Sequence, residues 1–145
     1  VDPERIVFQG TTPERGAHFE HYHRIDIALD PIGYNGTTTT CEALYMGVPV
    51  LTLPGQSHAS RVSASLLHRM GLDGWIARDE THFIRIARAA ARNPGALAAR
   101  RQALRPAFEQ SPLNNGALIA SDLESAYRSM WRRYIRENHE TCNEL

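Results

Sequence analysis

The sequence contains no lysine and no long apolar run, and each absence removes a class of function. All sixteen basic residues are arginine, so the lysine that a P-loop places on its phosphates is missing, and the pattern G-x-x-x-x-G-K-[ST] does not occur. We therefore do not expect a nucleoside triphosphatase. The apolar runs fall far short of the roughly 20 residues that a spanning helix needs. We therefore expect no membrane segment.

Charge and cysteine content narrow the possibilities further. The formal net charge is zero, so the broad attraction to phosphate backbones on which nucleic-acid binders rely is missing. The two cysteines, Cys41 and Cys142, are far apart and form no C-x-x-C pair, which suggests neither a zinc site nor a disulfide framework. No charged segment followed by an apolar one reads as a signal peptide. These features together favour a cytoplasmic chain.

The pattern along the chain indicates one α/β domain. At 145 residues the length suits a single core. In the first half, short apolar runs alternate with turn residues and helix-like stretches, which predicts strands over residues 6–8, 25–29, 50–53 and, more weakly, 75–77. A helix over about residues 38–46 ends at Gly47. We therefore predict a Rossmann-like parallel sheet with flanking helices.

From Asp79 onward the pattern predicts helices alone, so the fold ends in a helical C-terminal segment. Its last helix carries apolar residues at helical spacing, and such a stripe requires a partner surface. The stripe consists of Ile119, Leu123, Tyr127, Met130, Trp131 and Tyr134. Residues 137–145 are polar, and we expect them to be disordered.

The most informative segment joins a glycine-containing loop to a hydroxyl cluster and a helix. Residues 35–42 read N-G-T-T-T-T-C-E. The free N–H groups and positive dipole end of a helix N-terminus make an anion site. Threonine hydroxyls add donors, and Gly36 lets the backbone approach a ligand closely. A diphosphate could bind there without lysine or metal, while Glu42, one turn into the helix, could accept both hydroxyls of a ribose.

An ordinary helix cap is the alternative interpretation of the same residues. A threonine before a helix often accepts a hydrogen bond from the free N–H groups of the first turn. One threonine is enough for a cap, however, and three further β-branched residues carry a helix-propensity penalty. The excess favours a ligand.

Two further loops face the same end of the predicted sheet, where ligands of open parallel sheets gather. Thr11 and Thr12 follow the first predicted strand, and His18, on the helix after them, could donate to a phosphate. After the third predicted strand, His58 could meet a sugar or an acceptor, although a simple connection capped by Ser57 would explain that loop too.

A metal site is not expected. His18, His21 and His23 follow H-x-x-H-x-H, which is not an established ligand spacing.

Two segments carry a family resemblance. Residues 26–30 read D-I-A-L-D, and residues 34–50 read Y-N-G-T-T-T-T-C-E-A-L-Y-M-G-V-P-V. They resemble the O-linked N-acetylglucosamine transferase and SPINDLY family, and the similarity continues at Gly55 and residues 58–62 and 65–67, and then at residues 111–113 and 127–131. The resemblance implies a GT-B enzyme with two Rossmann-like domains, usually preceded by tetratricopeptide repeats. Residues 1–136 would form most of its C-terminal, nucleotide-sugar-binding domain.

The resemblance also implies roles for individual positions. In the family the helix N-terminus matching Thr37, Thr38 and Thr39 binds the pyrophosphate of the donor, and the acidic position matching Glu42 binds its ribose. The base would meet the backbone near Thr11 and Thr12, and His18 matches a histidine on the phosphate side. Asn35 and Gly36 complete this predicted donor site. Animal members carry histidine at the position of Thr37 and aspartate at that of Glu42.

The implied activity is metal-independent, inverting transfer of a sugar to serine or threonine hydroxyls of proteins, with no cofactor. UDP-N-acetylglucosamine is the favoured donor, and GDP-fucose, used by plant SPINDLY, is an alternative. A non-catalytic nucleotide-sugar-binding or scaffolding remnant is the other alternative. The expected partners are the donor, a protein acceptor, an N-terminal catalytic domain and tetratricopeptide repeats. Without that catalytic domain the chain is expected to be inactive.

Overall fold

The computed structural model describes residues 2–11 and 15–140, and within them the chain is a mixed α/β structure. The helices are α1 (Arg15–Glu20), α2 (Thr38–Tyr45), α3 (Val62–Arg69), α4 (Glu80–Ala91), α5 (Pro94–Glu109) and α6 (Gly116–Glu140). The strands are β1 (Ala28–Leu29) and β2 (Val50–Leu51). Short 3-10 turns cover Pro3–Arg5, His21–Arg24, His58–Ser60, Asp73–Trp75 and Pro112–Asn114.

The sheet is small and parallel. Ala28 pairs with Val50 and Leu29 with Leu51. Beyond β2, Thr52 continues the pattern as a parallel bridge to Ile76. Three of the predicted strands therefore lie side by side and parallel, as predicted, although each is shorter than the sequence pattern indicated. The helices around them complete the predicted α/β architecture.

The prediction of a strand over residues 6–8 is wrong. In the described part of the chain these residues pair with no strand, and the side chain of Phe8 is 92% exposed. A strand is stable only where a neighbour takes up its backbone N–H and C=O groups. Leu29 on β1 is exposed as well, so no neighbouring element covers β1 on that side within the described residues.

The core lies between the sheet and helices α2, α3 and α5. The end of α2 at Gly47 is confirmed: this glycine has φ +76°, and the N–H of Val48 donates to Ala43 O at 2.7 Å. Such a left-handed glycine turns the chain directly from the helix into β2. The buried apolar residues are Tyr22, Ala43, Leu44, Val48, Val50, Leu51, Leu67, Trp75 and Leu104.

Helix α6 leaves its predicted apolar stripe exposed. All six residues of the stripe are exposed, and Leu118 extends it by one position. The helix continues through Glu140, so residues 137–140 are helical rather than disordered as predicted. An ion pair one turn apart, between Arg133 and Glu137 at 2.7 Å, is one local contact that favours this extension. Residues 141–145 lie outside the described residues.

In the described ranges, no helix is both long and apolar enough to cross a membrane.

A buried carboxylate ties the sheet to the loop before α2. Asp30 directly follows β1, and its N–H donates to Leu51 O at 2.9 Å. Its Oδ1 accepts the N–H of Gly36 at 2.8 Å, and its Oδ2 accepts the hydroxyl of Thr52 at 2.7 Å. One side chain therefore sets the position of the loop relative to the ends of β1 and β2.

Replacing Gly47 by alanine tests the close packing of α2 against α5. A Cβ at Gly47 would lie 2.7 Å from Arg101 O, whereas one at Gly71, which has the similar φ of +69°, would meet nothing within 4 Å. Both substitutions incur the left-handed strain of about 1–2 kcal/mol. We expect Gly47→Ala to cost about 1–3 kcal/mol more than Gly71→Ala because of the added overlap. Equilibrium urea denaturation of both variants measures the difference, and equal losses would contradict the packing.

Replacing Asp30 by asparagine tests the carboxylate link. The amide nitrogen cannot accept a hydrogen bond, so either Gly36 or Thr52 loses its acceptor. We expect Asp30→Asn to lower the free energy of unfolding by about 1.5–3 kcal/mol. Asp26→Asn is the matched control, because Asp26 is 84% exposed and lies 3.7 Å from Arg101; such a pair is worth under about 1 kcal/mol. Urea denaturation again measures both, and similar losses would show that the link is unimportant.

Candidate functional site

Helix α2 begins with backbone donors that have no acceptor within residues 2–11 and 15–140. Thr37 is its N-cap residue but makes no capping hydrogen bond with its side chain. Cys41 N–H donates to Thr37 O at 3.2 Å and is the first amide of α2 with an acceptor inside the helix, so the amides of Thr38, Thr39 and Thr40 before it have none. The side chains of Thr37, Thr38 and Thr39 are exposed beside these amides. The helix therefore presents N–H groups and hydroxyls together at its positive end.

The fourth threonine belongs to the interior. Thr40 is buried, and its Oγ1 lies 2.9 Å from Ser63 Oγ on α3. Because the single hydroxyl proton of Ser63 goes to Gly36 O at 3.0 Å, Thr40 is the donor in that pair. Thr40 thus fixes α2 to α3, and no threonine of the run acts as the ordinary helix cap considered above.

The loop before α2 is held tightly by its two predicted site residues. A Cβ at Gly36 would lie 2.4 Å from Thr39 Oγ1 and 2.8 Å from Thr40 Oγ1, so only glycine fits there. Asn35 is 3% exposed, and its N–H donates to Ala59 O at 2.8 Å. Asn35 is therefore buried beneath the loop and anchors it, rather than lying on its surface.

Glu42 lies in a cluster with two aromatic side chains. His18 Nε2 is 3.1 Å from Glu42 Oε2, which brings together two residues that the sequence singled out separately. The Tyr22 hydroxyl donates to the same oxygen at 3.2 Å. Sequence reasoning missed Tyr22, although its position four residues after His18 places both on one helical face.

Burial and charge in this cluster alter two titrations. Burial, and then the neighbouring Glu42, raises the pKa of Tyr22 to about 12. The same two causes raise the pKa of the Cys41 thiol, which disfavours its reactive thiolate form. The Tyr22 hydroxyl thus remains a hydrogen-bond donor over the whole physiological range.

The three predicted residues in and after the first loop have different outcomes. Thr11 is exposed, and within residues 2–11 and 15–140 no recorded hydrogen bond connects it to α2. Thr12 lies outside the described residues. His18, predicted to face a phosphate, has its Nε2 at 3.1 Å from Glu42 Oε2, and Nδ1 is its other ring nitrogen.

A cavity of about 350 Å³ lies on the other flank of α2, lined by Thr37, His58, Arg61, Val62, Ser65 and Leu66. The Arg61 guanidinium donates a hydrogen bond of 3.1 Å to Gly55 O. Ser57 caps the 3-10 turn there, as the simpler interpretation of this loop predicted. The lining combines polar side chains with the apolar side chains of Val62 and Leu66.

The two flanks are separated by the geometry of α2 itself. Successive residues of a helix are rotated by about 100°, so Thr39 and Glu42 face Tyr22 while Thr40 faces α3. The free N–H groups lie between these flanks. The arrangement can hold an anion at the helix end, accept hydrogen bonds at Glu42 on one side, and enclose a small polar group on the other. Among the described residues, no three acidic, histidine or cysteine side chains group as a metal site.

Comparison with known proteins gives a consistent result. The model of Glycosyl transferase family 41 matches residues 1–123. The probable UDP-N-acetylglucosamine–peptide N-acetylglucosaminyltransferase SPINDLY of Petunia hybrida is 42% identical over 134 residues, which are 92% of this chain and 14% of that protein. SPINDLY of Arabidopsis thaliana, with the same description, is 44% identical over 119 residues, or 82% of this chain and 13% of that one.

An animal relative and a solved structure extend the match. The UDP-N-acetylglucosamine–peptide N-acetylglucosaminyltransferase of Caenorhabditis elegans is 31% identical over 92% of this chain and 12% of its own length. A mutant of Thermobaculum terrenum O-GlcNAc transferase superimposes with a TM-score of 0.74 at 42% identity, covering 83% of this chain and 23% of the other. The chain spans about one seventh of the length of the petunia relative. The match of the family model over most of its residues shows that this chain belongs to glycosyl transferase family 41.

Proposed function

We propose that this chain is the donor-binding part of an inverting, metal-independent protein glycosyltransferase. It would bind a nucleotide-sugar, and the enzyme would transfer the sugar, N-acetylglucosamine or a related one, to serine or threonine hydroxyls of proteins. Residues 1–136 would form this donor-binding domain, in a cytoplasmic enzyme. UDP-N-acetylglucosamine is the favoured donor, and no cofactor is required.

The uncapped start of α2 is the observation that carries the proposal. Thr37, Thr38 and Thr39 are exposed and stand where the helix amides have no intrahelical acceptor, and a helix N-terminus favours negative charge. A diphosphate would receive these N–H and O–H donors without lysine or metal. Asn35 and Gly36 would act indirectly by fixing the loop, since the first is buried and the second admits no side chain.

The same donors would supply the catalytic contribution of this domain. In an inverting transfer, the acceptor oxygen bonds to the anomeric carbon as the bond from that carbon to the diphosphate breaks. Negative charge grows on the departing nucleoside diphosphate, and preorganised donors stabilise it more in the transition state than in the ground state. The acceptor hydroxyl gives its proton to a base, which we place in the remainder of the enzyme.

The exposed apolar surfaces support a partner domain. The α6 stripe is uncovered within the described residues, and exposed apolar patches of this kind mark interaction surfaces. The relatives are about seven times longer than this chain. We propose that an N-terminal catalytic domain, with tetratricopeptide repeats for the protein acceptor, completes the enzyme. Alone, this chain would bind donor weakly or not at all and would show no turnover.

We place the sugar of the donor in the cavity beside Thr37. With the diphosphate at the start of α2 and the ribose at Glu42, the sugar would extend toward the opposite flank, where His58 and Arg61 line the cavity. A sugar combines hydroxyls with an apolar ring face, which matches the mixed lining. UDP-N-acetylglucosamine and GDP-fucose differ in both base and sugar, so the residues that contact these two groups would select the donor.

Calorimetric titration of the full-length parent with UDP and GDP tests the donor site. We expect one nucleotide to bind, and Thr38→Ala and Thr39→Ala each to weaken it about 5–30-fold, because each removes a hydroxyl from an anion. Thr81→Ala, an exposed threonine in the first turn of α4, is the control and should leave affinity unchanged.

Three results separate the alternatives. Binding of GDP in place of UDP would favour the GDP-fucose donor. Nucleotide binding without sugar transfer to protein would favour a non-catalytic remnant. Absence of binding by either nucleotide, or full affinity in both threonine variants, would contradict the site.

Replacing His58 by alanine tests the sugar location. We expect His58→Ala to weaken the intact nucleotide-sugar about 5–10-fold, since one hydrogen bond to the sugar is lost, and to leave the affinity for the nucleoside diphosphate unchanged. His68→Ala is the control. His68 lies near the end of α3, and its replacement should change the affinity for neither ligand. Equal weakening of both ligands in His58→Ala would place the histidine outside the sugar site.

A further inference from the structure

We propose that Tyr22 is a positioning residue for Glu42: its hydroxyl holds one carboxylate oxygen so that the other faces the ribose of the donor. The inference rests on the proposed function, because it assumes that a nucleotide binds at α2. It assigns Tyr22 an indirect role, which acts through Glu42.

The hydrogen bonds at Glu42 are distributed unequally between its two oxygens. Tyr22 donates to Oε2 at 3.2 Å, and His18 Nε2 lies 3.1 Å from the same atom. Within the part of the chain that the structure describes, no hydrogen bond is recorded at Oε1. A carboxylate has about four acceptor sites, two on each oxygen. The occupied oxygen is thus saturated by protein, and the open one retains two sites, the number that a pair of ribose hydroxyls requires.

Tyr22 is itself fixed from two directions. The residue is only 8% exposed and belongs to the core. Its carbonyl oxygen lies 3.5 Å from Nη2 of Arg101 on α5, and Nη1 of the same arginine donates to Ile25 O. The phenol ring therefore reaches Glu42 from a rigid base, as positioning of a ligand-binding group requires.

His18 is a weaker support for the same carboxylate. Its side chain is 42% exposed, compared with 23% for Glu42, and its donor role depends on the tautomer. It packs edge to face on Tyr22, with ring centroids 5.6 Å apart. The tyrosine thus orients both the carboxylate and the second donor. Because burial and Glu42 raise the pKa of Tyr22 to about 12, the hydroxyl keeps its proton throughout the physiological range.

The consequence is a loss that depends on the ribose hydroxyls. Without the Tyr22 hydroxyl, Glu42 gains rotamer freedom that ribose binding must remove. We expect Tyr22→Phe to weaken a nucleoside diphosphate about tenfold, the effect of one hydrogen bond to a charged group. A nucleotide lacking the 2′ and 3′ hydroxyls does not use Glu42, so its affinity should stay the same.

Calorimetric titration of the full-length parent with UDP and 2′,3′-dideoxy-UDP, and with the guanine pair if GDP is the ligand, tests the inference. Tyr22→Phe should reduce the preference for the ribonucleotide about tenfold. Tyr45→Phe is the matched control, because Tyr45 lies on α2 but its hydroxyl bonds to Arg105 at 2.7 Å. It should change neither affinity. Thermal unfolding of each variant establishes that it is folded.

A double-mutant cycle separates positioning from general support of the fold. In a Glu42→Ala background, Tyr22→Phe should have no further effect on ribonucleotide affinity. Equal weakening of both nucleotides by Tyr22→Phe, no weakening of either, or the same loss in the Glu42→Ala background would overturn the inference while the donor site stands. If the unaltered parent binds no nucleotide, the proposed function fails and the inference fails with it.

Discussion

The carboxylate of Asp30 is the interaction on which the rest of this structure depends. Asp30 directly follows β1 and is buried. A buried carboxylate is tolerated only when hydrogen bonds replace its lost hydration. The two bonds it accepts come from the chain after β2 and from the loop before α2. These hydrogen bonds to one carboxylate therefore fix the place where the chain turns from the sheet into α2. They also fix the direction in which the start of that helix points.

The two flanks of α2 follow from that placement. On one flank, Thr40 and Ser63 join the helix to α3 through a hydrogen-bond chain that ends on Gly36 O. On the other, Tyr22 and His18 meet at one oxygen of Glu42. Between them, the first amides of the helix have no hydrogen-bond acceptor among the described residues. Core packing and site geometry thus use the same few polar residues, so a change that loosens the core should also displace the candidate site.

Much of the site could be predicted from the sequence because its signals are local. A run of four threonines after Gly36 exceeds what a cap requires, and a carboxylate one turn later lies on the same helix, so their relation needs no knowledge of distant contacts. The glycine end of α2 and the parallel arrangement of the strands were likewise predictable. The strand over residues 6–8 was not, because an apolar run becomes a strand only when another strand pairs with it, and none of the described residues does so.

The sequence by itself determined the α/β class, the family and the residues at the start of α2, since these depend on short-range pattern and on the chemistry of side chains close together in the chain. Only the tertiary structure decided which threonine turns inward, that Asn35 lies beneath the loop, and that Tyr22 supports Glu42. Those outcomes depend on contacts between residues 17 to 27 positions apart, such as Tyr22 with Thr39 and Gly36 with Ser63. Such pairings arise only when the sheet and helices pack, and no periodicity within a single element encodes them.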